Sequence, residues 1–254
     1  MNNTPHSLLL PLLAVMLAAV APGVSAAPTV KVTTESTDNR RFLTDLARAE
    51  REHNYRALLA ECARQVAAHP QDHEAYRRRA LARWGARQNE DALADFNSAA
   101  ELAHDHKAPV RVLAVLYYGR ALVRREQHNT AAEIEELVRV TRTDAGFTDA
   151  FNDLAWIRAT HPDATLRNGR QAVALARHAC ETVPDSVKYL DTLAAAYAEA
   201  GDAQRAADTE RAAIKAARVD ARTTGQHRDF LADAPGRVEL YTGGGRYRAT
   251  PSGS

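Results

Sequence analysis

The stretch YLDTLAAAYAEAGDAQRAADTERAAIKAARV, residues 189–219, decides the fold. Leu190, Leu193, Ala194 and Tyr197 recur at helical spacing and form one apolar stripe. Gly201-Asp202 breaks that helix, and Ala206, Ala213 and Ile214 begin a second stripe. Small side chains at Ala194, Ala206 and Ala213 let two antiparallel helices approach closely. Leu193 and Tyr197 are large enough to fill the space between neighbouring pairs. One such pair cannot bury its own apolar face, so it must stack on others.

Working outward, the same order of residue types returns. Tyr76, Ala80, Ala92, Phe96 and Ala99 fall at matching offsets in residues 73–105. Phe151, Leu154 and Ala155 open another unit, which runs through Ala172, Ala176, Ala179 and Pro184. Gly119, Leu122, Ala131 and Val138 mark a weaker unit, and Phe42, Tyr55, Leu58, Cys62 and Pro70 the weakest. Five helix pairs are expected, starting near Asn39, His73, Val112, Thr148 and Val187, at spacings of 34 to 39 residues. Residues 104–109 add a loop between the second and third pairs, and residues 160–169 lengthen the turn inside the fourth.

This pattern resembles the tetratricopeptide repeat family over residues 39–219. A closer likeness lies in Phe151-Asn152-Asp153-Leu154-Ala155-Trp156, Ala159-Thr160-His161-Pro162-Asp163, Arg167-Asn168-Gly169 and the run from Tyr189 to Gly201. These look like a C-terminal form of the repeat common in bacterial proteins, which often ends in a segment matched here by Leu240-Tyr241 and Tyr247-Arg248. The resemblance implies an all-α fold, a right-handed α-solenoid of about five helix pairs, that binds proteins or peptides.

Flanking segments differ in character. Residues 8–20 are apolar apart from Pro11, and Val24-Ser25-Ala26 supplies the small residues of a cleavage site, so residues 1–26 are expected to be a signal peptide cut after Ala26. The start carries no Lys or Arg, which leaves a retained anchor or a mis-assigned start as the alternatives. No Cys follows to carry a lipid, and no later run is apolar enough to span a membrane. The mature chain is therefore expected outside the cytoplasm, periplasmic or extracellular, without a transmembrane segment. Residues 27–38, rich in Thr and Ser, are expected to form a flexible linker. Residues 220–254 are expected to begin as a capping helix, meet Pro235-Gly236 and Gly243-Gly244-Gly245, and end as a disordered tail. Tyr241 and Tyr247 are aromatic anchors suited either to the groove or to capping the last helix. Cys62 and Cys180 lie three repeats apart, too far for a disulfide, and are expected to be buried free thiols.

Charge narrows the function. The 33 basic and 32 acidic side chains leave a net charge of +1, which lacks the basic excess that neutralising a nucleic-acid backbone requires. His69, Asp72 and His73 flank Pro70 in an inter-repeat loop, and His104-Asp105-His106 sits in another; neither spacing brings a third or fourth metal ligand. Gly243-Gly244-Gly245-Arg246 lacks the Lys-Ser/Thr of a phosphate loop. No nucleophile motif, cofactor motif or catalytic constellation is present, so the chain is read as a binding protein and not an enzyme.

In a helix-pair solenoid the first helix of each pair lines the concave face. The residues expected to point into that groove are Arg77, Arg78, Leu81 and Trp84; Leu116, Tyr117, Arg120 and Arg124; Asn152, Asp153 and Trp156; and Lys188, Asp191 and Thr192. Both tryptophans of the chain fall in this set, and Trp and Arg dominate binding hot spots. The competing reading packs each Trp between repeats and pairs each Arg with a neighbouring acid. Repeats that clamp a peptide carboxylate use a Lys and an Asn four apart, where this chain has Arg77 and Leu81. The first reading is capture of a protein or peptide in the groove; the alternatives are an envelope-assembly role through homo-oligomer formation and, last, a metal-binding protein or enzyme.

Overall fold

The computed structural model describes residues 31–224 and 227–249, with side chains over 38–221 and 227–249. The expected signal peptide at 1–26, the first residues of the expected linker and the last five residues lie outside that range. Eleven α-helices and no strands occur among the described residues: α1 Lys31–Arg51, α2 Arg56–Ala68, α3 His73–Gly85, α4 Asn89–Asp105, α5 Val110–Glu126, α6 Thr130–Thr143, α7 Thr148–Thr160, α8 Gly169–Thr182, α9 Val187–Glu199, α10 Ala203–Thr224 and α11 Arg228–Thr242.

Short polar side chains start several of these helices by accepting an orphan backbone N–H. Asp72 accepts from the amide of Glu74, Asn129 from Ala132, Asn168 from Gln171 and Ser186 from Tyr189. The helices end in a repeated way. Gly201, at φ +87°, follows α9, and the amide of Asp202 reaches back to the Tyr197 carbonyl at 2.9 Å. Arg87 after α3, His128 after α5 and His53 after α1 take the same left-handed conformation, and the amides of Gln88, Asn129 and Asn54 make the same backward bond. Four of the five first helices thus reverse into their second through one αL residue, whether or not that residue is Gly, and the turn from α7 to α8 runs through a short 3-10 helix at Ala164–Leu166 instead.

Four pairs pack tightly, α3 on α4, α5 on α6, α7 on α8 and α9 on α10, while α1 and α2 touch along little of their length. The predicted starts at His73, Thr148 and Val187 coincide with the observed ones, and the third pair starts at Val110 instead of Val112. The first helix begins at Lys31, so residues 31–38 are helical and not a flexible linker; no Gly or Pro interrupts the chain from Lys31 to Arg51. Helix α10 extends to Thr224, past the expected end at Val219.

The helices gather into two compact units, Met1–Asp144 and Ala145–Ser254. In the first, Ala80, Ala92, Phe96 and Ala99 are fully buried, as are Ala103, Ala114 and Val123. In the second, one cluster joins Ala155, Ala159, Ala172, Ala176, Leu193 and Ala196, and another joins Ala194, Ala198, Ala206 and Ala207 to the ring of Tyr241. These alanines lie where helices touch, which is why small residues recur at fixed offsets. Gly169 extends the same logic to backbone: a Cβ there would lie 2.6 Å from the amide nitrogen of Ala200. Cys62 is buried and Cys180 half-buried, both free, and burial pushes each thiol up to about 11.

The C-terminal segment departs from expectation. Helix α11 runs through Pro235 without breaking, with Ala234 and Tyr241 fully buried on either side of Pro235-Gly236. It packs on α10. Residues 243–249 are held by specific contacts, and the last residues, where the disordered tail is expected, lie outside the described range. No helix among the described residues is long and apolar enough to cross a membrane.

Candidate functional site

Most of the residues expected to face an open groove are covered. In the first unit Arg77, Leu81, Trp84 and Leu116 are buried, and Arg78, Tyr117, Arg120 and Arg124 are half-buried. In the second unit Asn152, Asp153 and Thr192 are buried, Trp156 and Asp191 half-buried, and Lys188 alone is exposed. The helices follow the expected period, and neighbouring elements cover most of these side chains. The first helix of a pair has neighbours on several sides, so little of its circumference remains open.

The partners show what covers them. Arg77 donates from Nε to Oε2 of Glu74 at 2.7 Å and from Nη2 to Oε1 at 2.5 Å. Burial opposes ionisation of Glu74, but Arg77 and then Arg78 outweigh it and hold its carboxyl below the usual range. Trp84 donates its indole Nε1–H to Glu126 of α5 at 2.6 Å, so it packs across repeats. Arg120 bonds Glu136 of α6, and its guanidinium sits 5.7 Å from the centre of the Tyr117 ring. Arg124 donates to the side-chain oxygen of Gln127 at 2.9 Å. The basic groove expected in this half is therefore a set of paired arginines.

In the second unit Lys188 bridges two carboxylates, at 2.9 Å from Asp149 and 3.4 Å from Asp153. The loss of water where its ammonium meets the two acids works against its charge, but Asp153 and Asp149 outweigh it and raise its pKa. The Tyr189 hydroxyl donates to Asp149 at 3.1 Å. Asp191 belongs to a second cluster: Arg237 of α11 places its Nε 3.3 Å from Asp191 and 3.0 Å from Glu210 of α10. Burial raises both carboxyls, Glu210 to about 8, with the Asp191 charge adding to the effect there.

Trp156 has the most informative surroundings. The ring of Tyr247 lies 5.7 Å from its own. Arg248 donates to Glu199 at 2.8 Å, Arg246 to the Ala198 carbonyl at 3.3 Å, and the amide of Ala249 to the Thr160 carbonyl at 3.0 Å. The end of the chain thus lies across the C-terminal ends of α7 and α9, both first helices of their pairs. Leu240-Tyr241 and Tyr247-Arg248 had marked these residues in the sequence; Tyr241 caps the last pair, and Tyr247 meets the Trp expected in the groove.

No family model matches the chain, and no curated protein matches it. Among solved structures, the crystal structure of MamA protein matches with a TM-score of 0.55 at 14% sequence identity, over 73% of this chain and 94% of that one. The fold is an all-α solenoid of helix pairs. Identity at that level shows the fold alone, and together with the helix pairing it supports a repeat of the tetratricopeptide type.

Asp72, beside His69 and His73, serves as the cap of α3, and His104 and His106 are exposed at the end of α4. Among the described residues no three His, Cys, Asp or Glu side chains gather as a metal site.

Proposed function

We propose that this chain is an exported, non-catalytic protein-interaction module that holds a segment of another protein against the first helices of its repeats. The observation that carries this reading is the seat of residues 246–249 on α7 and α9, where helix-pair surfaces receive an extended segment through backbone and side-chain bonds. The fold shared with MamA agrees with a scaffold role. The apolar residues 8–20 followed by Val24-Ser25-Ala26 support export.

The test is capture in the envelope fraction. The tagged chain is crosslinked beside a Trp156→Ala variant with matched helicity, and the mature amino terminus is sequenced. A discrete protein recovered with the parent and lost with the variant, from a chain that begins at Ala27, supports the reading. A stable homo-oligomer with no other protein enriched would overturn it in favour of an assembly role.

A further inference from the structure

The contacts made by residues 246–249 have one chemical character on the receiving side. The carbonyls of Ala159, Thr160 and Ala198 and the carboxylate of Glu199 are all acceptors, and they sit at the ends of α7 and α9 where helix dipoles are negative. Beside them Trp156 offers an aromatic face. Arg167 binds the other Glu199 oxygen at 3.1 Å and donates to the carbonyls of His161 and Pro162, which fixes that carboxylate in place without filling the site. A surface built from acceptors and a ring suits a donor-rich, aromatic strand, and Arg246-Tyr247-Arg248 is one.

The occupant is lightly held. Arg246 is 52% exposed and 4.0 Å from Glu199, a weak pair in water, while Arg248, 32% exposed, makes the closer pair with Glu199 at the solvent edge. Tyr247 is the one large apolar side chain from 243 to 249. Upstream, Gly243 and Gly244 carry no side chains to pack, and Gly244 adopts φ +75°. Helix α11 is anchored by buried Ala234 and Tyr241 and by the Arg237–Glu210 ion pair, and Tyr247 adds one contact to that cluster, its ring 5.8 Å from the Arg237 guanidinium. Residues 246–249 are thus able to leave while the cap stays.

We propose that the ends of α7 and α9 form a docking site for an extended segment of a partner protein bearing an aromatic residue flanked by arginines, and that residues 246–249 occupy this site in cis as a displaceable stand-in. This rests on the interaction-module reading and specifies its partner class. The partner must compete with the tail, so its apparent affinity is reduced by the fraction of chains whose site is closed.

The experiment uses the full chain and a fluorescein-labelled peptide of residues 243–249, GGGRYRA. A Tyr247→Ala/Arg248→Ala variant should bind it saturably by anisotropy. The parent should bind at least about tenfold more weakly, because its site is occupied. Adding Glu199→Gln to the variant should weaken binding by at least about fivefold through the lost charge-assisted bond. A peptide with both arginines changed to glutamate should not bind. Equal binding by parent and variant, or no saturable binding by a variant with parental helicity, would sink the proposal. If the double variant misfolds, Arg248→Ala alone is used with hydrogen exchange on the parent: excess peptide should deprotect the Ala249 amide, and unchanged protection counts against it. A parent dimer dissociated by the peptide would mean that the occupant is a second copy, which also overturns the assignment. Envelope capture that succeeds while the peptide fails rejects this site and leaves the interaction reading standing.

Discussion

The guanidinium Nε of Arg237 lies 3.0 Å from Oε1 of Glu210, a carboxylate with no solvent exposure, and 3.3 Å from Asp191. Two acids share one cation inside the second unit. Burial, and then the Asp191 charge, raise the Glu210 carboxyl to about 8, while Arg237 pulls the other way. A carboxyl that titrates higher in the folded than in the unfolded chain loses stabilisation as pH rises between the two values. The window here runs from the ordinary carboxyl range, about 4.3, to about 8, and Asp191 adds the same sign. Thermal melts should therefore show falling stability from pH 5 to pH 9. Glu210→Gln should flatten that fall, and an unchanged slope in the variant would refute the assignment.

Arg120 bonds the nearly buried Glu136, so reversing it sets two carboxylates together. Arg120→Glu should cost about 1–3 kcal/mol in chemical denaturation, the cost of an unsatisfied buried polar group. Arg124→Glu should cost less than about 1 kcal/mol, since that side chain reaches only Gln127 near the helix end. Equal costs for the two variants would contradict the burial of Glu136 beside Arg120.

Ala194 lies among Ala198, Ala206, Ala207 and Tyr241 with no room to spare. Ala194→Leu should destabilise the second unit by about 1–3 kcal/mol through overpacking. An unchanged melting temperature would place this alanine elsewhere than at a helix contact.

His128 is exposed and left-handed, and an L-residue pays roughly 1–2 kcal/mol for that conformation, while glycine's extra chain entropy returns part of the gain. His128→Gly should stabilise the first unit by about 0.5–1 kcal/mol, whereas Gly201→Ala at the equivalent turn should destabilise the second by a similar amount. Differential scanning calorimetry of both variants checks the pair, and opposite signs are the required result.

Those turns explain what could be read from the chain alone. The fifth repeat was plain because Gly201 writes the reversal into the sequence. His53, Arg87 and His128 make the same reversal with side chains that give no such signal, so those turns are legible only from the stripes on either side. Alanines at close contacts recur because volume is constrained there, and they fixed three helix starts. Periodicity finds a stripe but not the neighbours that cover the rest of a first helix; the place of Trp84 depends on Glu126, 42 positions away. The aromatic residues near the end were noticed, yet their seat on α7 and α9 depends on pairing across the whole unit, which no local pattern encodes.

Stacked repeats ordinarily touch only their neighbours, so their ends fray and unfolding spreads inward from them. The bond from Arg248 to the carbonyl of Ala159, 89 residues away, together with that from Ala249 to Thr160, ties the last segment of the second unit to its first helix. That unit has no loose terminal repeat: its string of helices is fastened into a ring. While residues 246–249 are seated the unit should open more cooperatively than after their release, which turns the ring back into a string with a fraying end.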